Sequence, residues 1–117
     1  MEVLDNYIKS APNSQHALDI FKGEWASMFP GNASLAAGVV PLFEDNRVAW
    51  AIEKFNGVQS KHIVEFGPLE AGHTYMLEKH GAASITAVEA NSRAYLKCLI
   101  VKEVMGLEKA HFLYGDC

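Results

Sequence analysis

Basic residues and cysteines are scarce in this 117-residue sequence. Its 10 lysines and arginines are outnumbered by 14 aspartates and glutamates, which gives a net charge of −4. A nucleic-acid partner is therefore not expected, because binding to phosphates requires a basic surface. The only two cysteines, Cys98 and Cys117, offer neither a disulfide framework nor the spacing of metal ligands. This scarcity favours a reduced, cytoplasmic protein without a metal site.

Long apolar runs are also missing. The N-terminal stretch MEVLDNYIKS lacks the apolar core of a signal peptide. No run approaches the roughly 20 apolar residues of a membrane-spanning helix. Half of the residues are nevertheless hydrophobic and 21% are charged, which is typical of a globular protein with a core. We therefore expect a folded protein with no membrane partner.

The first part of the chain has irregular patterning with two helical stretches. Ser14 can cap a helix over residues 15–22, where apolar residues recur at helical spacing. A second helix is predicted over residues 47–55, capped by Asp45 or Asn46.

From residue 61 the pattern becomes regular and alternates between strands and helices. Strands are predicted at His62–Phe66, Ser84–Glu89 and Ala110–Tyr114, and helices at residues 71–80 and Ser92–Met105. Alternation of this kind implies right-handed crossovers between parallel strands. The sequence therefore predicts an α/β fold: a three-stranded parallel, Rossmann-like β-α-β-α-β sheet preceded by two helices.

The stretch HIVEFGPLEAGHTYMLEKHG reads as a buried strand, a tight glycine turn and a helix in succession. A helix that begins at the carboxyl end of a strand directs its unpaired N–H groups and positive dipole end into the crevice above the sheet. Gly67 and Gly72 stand where the backbone must pass close to a ligand or to the next element. This pattern predicts a pocket for a nucleotide-like cofactor.

Acidic residues occupy the carboxyl ends of all three predicted strands. Glu65 precedes the glycine turn, Glu89 closes the second strand and Asp116 follows the third. The two oxygens of Glu89 match the two hydroxyls of a ribose diol, and Asp116 could accept from an exocyclic amine of a base. The alternative is that these acids are solvated or cap the following helix.

Three runs, IVEFGPLEAG, ITAVEAN and FLYGDC, resemble the first three cofactor-binding motifs of class I S-adenosylmethionine-dependent methyltransferases. The resemblance covers residues 61–117, and residues 47–57 resemble the helix that precedes the first strand in that family. It implies an N-terminal helical and irregular segment over residues 1–46 and a cofactor-binding half over residues 47–117. It also implies an enzyme that transfers a methyl group from S-adenosylmethionine to an acceptor that the sequence does not identify.

The same resemblance implies roles for individual residues. Acidic and glycine residues of the turn would line the methionine side of the cofactor, Glu89 would hold the ribose hydroxyls, and the residues after the second and third strands would flank the adenine. No catalytic residue and no metal ligand is assigned. The candidate cofactor-binding residues are Glu65, Gly67, Pro68, Gly72, Glu89, Ala90, Asn91, Asp116 and Cys117.

The sequence departs from the family pattern in two ways. Leu69 and Ala71 stand where the family's turn commonly has glycine. The resemblance also covers only the first half of the family's core, so we expect an incomplete methyltransferase core. In the family the first strand pairs with the second on one side and the fourth on the other. Without a fourth strand, the edge of His62–Phe66 should be covered by self-association, by a partner or by the front segment of the chain.

Two other functions remain open. A dinucleotide-binding unit for NAD or FAD would use Gly67 and Gly72 as the first and third glycines of G-x-G-x-x-G, but Leu69 replaces the middle one. Alternatively, the chain is an inactive fragment or a scaffold that acts through protein contacts.

Several other side chains have structural interpretations. We expect His73 to be a solvated residue in the first turn of its helix, with contact to substrate or to the cofactor carboxylate as the alternative. Trp25 and Phe29 are expected in the core, with a lid over the cofactor as the alternative. Lys97 and Lys102 are expected on the exposed face of their helix.

Overall fold

The computed structural model describes residues 7–117. It contains four α-helices, two short 3₁₀ turns and one sheet in this part of the chain. In chain order the elements are α1 (Ser14–Asp19), 3₁₀ turns at Gly31–Ala33 and Leu42–Glu44, α2 (Asn46–Lys54), β1 (His62–Phe66), α3 (Gly72–Lys79), β2 (Ser84–Glu89), α4 (Ser92–Met105) and β3 (Ala110–Tyr114).

The predicted strands and the long helix α4 are confirmed with the bounds given above. The side chain of Asp45 caps α2, accepting from the backbone N–H of Arg47. The predicted first helix is wrong in its cap and its length: α1 includes Ser14 and ends at Asp19. Its cap is Asn13, whose side chain accepts from the backbone N–H of His16, so Ser14 is already helical.

All three strands are parallel, in the order β1-β2-β3. Both crossovers move along the sheet in the same direction, so their right-handedness places α3 and α4 on one face. Side chains on that face, such as Ile85, Ala87 and Phe112, are buried. On the opposite face Val64 and Phe66 are exposed. The fold is therefore the predicted α/β fold, with one face of its sheet covered.

Aromatic residues from the N-terminal segment form much of the main hydrophobic core. Phe21, Trp25, Phe29 and Phe43 are buried in one cluster with residues of α4 and the sheet. Neighbouring rings in this series pack edge-on or tilted, with centroids 4.6–6.3 Å apart. The prediction that Trp25 and Phe29 belong to the core is confirmed.

The prediction that Lys97 lies on the exposed face of α4 is wrong. Lys97 is buried together with Ala94, Cys98 and Val101, which share one face of the helix. That face is covered because α1 and the segment after it pack on α4. The spacing of apolar residues within α4 alone does not reveal this packing. Lys102 is only half-buried, and its Nζ donates to the carbonyl oxygen of Ala110 (2.5 Å).

No helix within residues 7–117 is long and apolar enough to cross a membrane.

Candidate functional site

In the turn between β1 and α3, every second residue has a left-handed backbone conformation. Gly67, Leu69 and Ala71 have φ angles of 68°, 57° and 65°. Only glycine adopts this conformation without strain, and each other residue costs about 1–2 kcal/mol. Leu69 and Ala71 therefore adopt a left-handed conformation that glycine adopts more easily. This explains why glycine is common at the corresponding positions of the family's turn.

The carboxylate of Glu89 connects this turn to the end of β2. The backbone N–H of Leu69 donates to Oε1 (2.9 Å), and that of Asn91 donates to Oε2 (3.0 Å). Glu89 is only 8% exposed, so these two bonds fix its carboxylate. An ionised carboxylate has about four acceptor positions. Glu89 therefore retains about two acceptor positions that the described hydrogen bonds do not use.

Glu65 lies at the carboxyl end of β1, beside the turn. The hydroxyl of Thr74 in α3 donates to its Oε1 (2.5 Å). Burial raises the pKa of Glu65, and the bond from Thr74 and the nearby His73 oppose this effect only in part. The site therefore contains an acid that gains a proton more readily than an exposed glutamate.

Helix α3 begins without a capping side chain. Its N-cap is Ala71, and no side chain accepts a hydrogen bond from its first turn. The first N–H groups and the positive end of the helix dipole are thus available to an anion. They lie at a cleft of about 270 Å³ lined by the turn and by Ser27, Leu42, Arg47 and His73.

Gly72 is required by packing. A Cβ at this position would lie 2.7 Å from the carbonyl oxygen of Leu42, a backbone atom in the segment before α2. The absence of a side chain thus lets that segment approach the start of α3, and the same segment supplies one wall of the cleft.

The remaining candidate residues lie at the same edge of the sheet. Asn91 caps α4 by accepting from the backbone N–H of Ala94 (2.9 Å), and Ala90 beside it is exposed. Beyond β3 the N–H of Gly115 donates to the carbonyl oxygen of Glu89 (2.9 Å), which brings the exposed Asp116 and Cys117 to this edge. The candidate residues therefore lie at the edge of the sheet where the strands have their carboxyl ends, and three of them, Gly67, Pro68 and Gly72, line the cleft.

The sequence interpretation missed a charged cluster beside the cleft. Asp45 accepts from Nη2 of Arg47 (2.6 Å) and lies 3.0 Å from Nε2 of His73. Hydrogen bonds from Arg47, supported by His73, hold the pKa of Asp45 well below its usual range. His73 is therefore tied to the start of α2. The expected capping role of Asp45 was the only sequence signal for this cluster.

A second missed group attaches the N-terminal segment to the turn. Glu70, which is almost fully buried, accepts from the backbone N–H of Ser27 (2.8 Å) and Ala26 (3.2 Å) and from Nζ of Lys97 (3.0 Å). The buried hydroxyl of Ser27 faces the same carboxylate without reaching hydrogen-bond geometry. Burial alone would raise the pKa of Glu70, but Ser27, Lys97 and Ala26 outweigh it and lower that pKa.

Cys98 lies behind these acidic groups. Burial raises the pKa of its thiol, and the nearby carboxylates of Glu89, Glu65 and Glu70 raise it further. The thiol is therefore protonated and unreactive at neutral pH. Within residues 7–117 no group of three or more His, Cys, Asp or Glu side chains is placed to hold a metal ion.

No protein-family model matches the sequence, and comparison with curated proteins finds no match. Solved structures do match. The N-terminal domain of EvdMO1 with SAH bound has a TM-score of 0.68 and 23% identity over 88% of this chain. The same domain in the presence of SAH and D-fucose has a TM-score of 0.67 and 22% identity, also over 88% of the chain. A putative RNA methyltransferase, PH1948 from Pyrococcus horikoshii, has a TM-score of 0.50 and 19% identity over 60% of the chain.

The chain spans less than half of the proteins that it matches. It covers 44% and 43% of the two EvdMO1 domain structures and 34% of PH1948. The matched part of the chain has the class I S-adenosylmethionine-dependent methyltransferase fold.

Proposed function

We propose that this chain binds S-adenosylmethionine at the carboxyl edge of its sheet and supplies the cofactor-binding half of a methyltransferase. The observation that carries the proposal is the carboxylate of Glu89. This carboxylate stands at the end of β2, is fixed by the backbone amides of Leu69 and Asn91, and retains acceptor capacity that suits the two hydroxyls of a ribose. The similar EvdMO1 domain was crystallised with SAH bound, which supports the same cofactor here.

In this proposal the two ends of the cofactor meet different groups. The carboxylate of its amino-acid end faces the uncapped start of α3, and its ammonium faces Glu65. The ribose hydroxyls donate to Glu89. The adenine lies among the residues that follow β2 and β3, which are Ala90, Asn91, Asp116 and Cys117. Gly67 and Pro68 form the floor of the turn beneath the amino-acid end.

The chain's contribution to methyl transfer is binding and orientation. When bound, S-adenosylmethionine supplies a methyl group that is already activated for attack by a nucleophile. Holding two reactants in line can lower a barrier by several kcal/mol, and by about 7–11 kcal/mol in ideal cases. A general base is required only if the acceptor must lose a proton, and we assign none.

Calorimetric titration with S-adenosylhomocysteine and, separately, with NAD tests the proposal. We expect binding of the first and not of the second. Tighter binding of NAD would favour the dinucleotide-binding alternative, and binding of neither by a folded sample would favour a scaffold.

The role of Glu89 is tested by Glu89→Ala, which should weaken binding of S-adenosylhomocysteine by about 1.5–3 kcal/mol, the range for hydrogen bonds to a charged group. Glu103→Ala is the matched control, because Glu103 is exposed on α4 away from the crevice. Circular dichroism of both variants establishes that they are folded. Unchanged affinity in folded Glu89→Ala would remove Glu89 from the site.

A further inference from the structure

The side chain of Ser27 has no hydrogen-bond partner in the interior of the protein. Ser27 is fully buried, and among the described side chains its Oγ is the only buried nitrogen or oxygen atom without a partner. The carboxylate of Glu70 lies nearby, but it already accepts from Lys97 and from two backbone amides, and the hydroxyl does not reach hydrogen-bond geometry with it. A buried polar group without a partner destabilises the folded state, and a bound acceptor would remove that cost.

Contacts on two sides hold Ser27 at the cleft beside the start of α3. Its backbone N–H donates to Glu70 (2.8 Å), two residues before Gly72. On its other side Ser27 forms a parallel bridge with Val40, and the chain that continues from Val40 packs its Leu42 against Gly72. Ser27, Leu42 and Gly72 all line the cleft of about 270 Å³. The N-terminal segment therefore packs at the start of α3, and the expectation that it covers the edge of β1 is wrong.

The charges around this cleft favour an anion. Two of its lining residues belong to ion pairs, Glu70 with Lys97 and Arg47 with Asp45, and each pair is neutral as a whole. The first turn of α3 has no capping side chain, so its N–H groups and the positive end of the helix dipole are not compensated. A carboxylate is the kind of group that such a helix start binds.

The cleft has the size of one end of the cofactor. Its volume of about 270 Å³ is below the roughly 300–1,000 Å³ of pockets that enclose a drug-sized ligand. Leu69 lines the cleft, and its backbone N–H donates to Glu89, so the cleft adjoins the proposed ribose site. The amino-acid end of the cofactor can therefore enter the cleft while the nucleoside stays outside it.

We propose that Ser27 is a cofactor-binding residue, whose hydroxyl donates a hydrogen bond to the carboxylate at the amino-acid end of S-adenosylmethionine. This inference rests on the proposed function and adds the N-terminal segment to the cofactor site. The carboxylate supplies the acceptor that Ser27 lacks, and the N–H groups of α3 stabilise its charge. Ser27 thereby favours ligands that carry a carboxylate at this end over ligands that end in an uncharged group.

The stability of the ligand-free protein provides the first test. Ser27→Ala removes the hydroxyl and leaves the backbone contacts of Ser27 with Glu70 and Val40 in place. Because the hydroxyl has no partner, we expect the midpoint of urea unfolding to stay unchanged or to rise. A clearly lowered midpoint would show that the hydroxyl has a structural partner within the protein and would overturn the proposal.

Calorimetric titration with two ligands tests the contact itself. S-adenosylhomocysteine carries the carboxylate, whereas 5′-methylthioadenosine keeps the nucleoside and lacks the amino-acid end. Ser27→Ala should weaken binding of S-adenosylhomocysteine about 10- to 100-fold, as expected for a hydrogen bond to a charged group, and should change binding of 5′-methylthioadenosine by less than about twofold. Ser34→Ala is the matched control, because Ser34 is exposed in the same segment, and it should alter neither affinity.

The outcomes separate this inference from the proposed function. A wild-type protein that binds neither ligand would refute the proposed function and the inference with it. If the wild type binds S-adenosylhomocysteine and folded Ser27→Ala binds it equally well, only the role of Ser27 is overturned. Equal weakening of both ligands by Ser27→Ala would also overturn that role, because the loss would not depend on the carboxylate.

Discussion

The buried ion pair between Glu70 and Lys97 should dominate the attachment of the N-terminal segment. Lys97→Met keeps the length of the side chain, and hence its packing near Phe21 and Trp25, but removes the ammonium group. The carboxylate of Glu70, which is 3% exposed, then loses its only counter-ion among the described residues. Removing one partner of a buried pair typically costs about 3–5 kcal/mol.

Such a loss is a large share of the ~5–15 kcal/mol by which native domains are stable. With a urea slope of about 2 kcal/mol per M, the unfolding midpoint should fall by roughly 1.5–2.5 M. Lys22→Met is the control, since Lys22 is exposed, and should change stability by no more than about 0.5 kcal/mol. The double variant Glu70→Gln/Lys97→Met should be more stable than Lys97→Met, because it leaves no buried charge without a partner.

The pH dependence provides an independent check. The folded state lowers the pKa of Glu70 from its ordinary value of 4.5. Its contribution to stability is therefore present above pH 4.5 and is lost as the pH falls through the lowered value. In Lys97→Met the cost should shrink below pH 4.5, because a protonated Glu70 carries no charge. A cost below about 1 kcal/mol at neutral pH, or one that is independent of pH, would refute this reasoning.

Two further predictions concern Glu65 and Gly72, which lie on either side of the turn between β1 and α3. Burial raises the pKa of Glu65 above its ordinary 4.5. The contribution of Glu65 to folding stability is therefore fully present below pH 4.5, and it is lost as the pH rises through the raised pKa. Glu65→Gln should therefore raise the thermal midpoint at pH 7 but not below pH 4.5, and an unchanged midpoint at pH 7 would contradict this expectation. Gly72→Ala should cost about 1–3 kcal/mol in urea unfolding because its Cβ would meet the backbone of Leu42, whereas Gly31→Ala meets nothing within 4 Å and should be nearly neutral. Equal stability of the two alanine variants would show that the Leu42 segment moves aside at no cost.

The local patterns of the sequence were sufficient for the three strands and for α4. The strands at His62–Phe66 and Ser84–Glu89 are short apolar runs between turn residues, and α4 ends at a glycine, Gly106, with a φ of 67°. The alternation of these elements then determined a parallel sheet, because a right-handed crossover is almost obligatory. The edge at which Glu65, Glu89 and Asp116 gather follows from that topology.

The contacts of the N-terminal segment were decided only in three dimensions. Lys97 has the sequence context of a surface lysine, and its burial depends on Glu70, which is 27 positions away in the chain. The link between Asp45 and His73 spans 28 positions, and the pairing of Glu89 with Leu69 spans 20. Periodicity reports which face of an element is apolar, but not which distant segment covers it. The sequence by itself therefore determined the strands, the helix α4, their order and the edge that carries the proposed cofactor site. The tertiary structure decided which charges are buried and why Gly72 must lack a side chain, because each depends on backbone segments that meet only after folding.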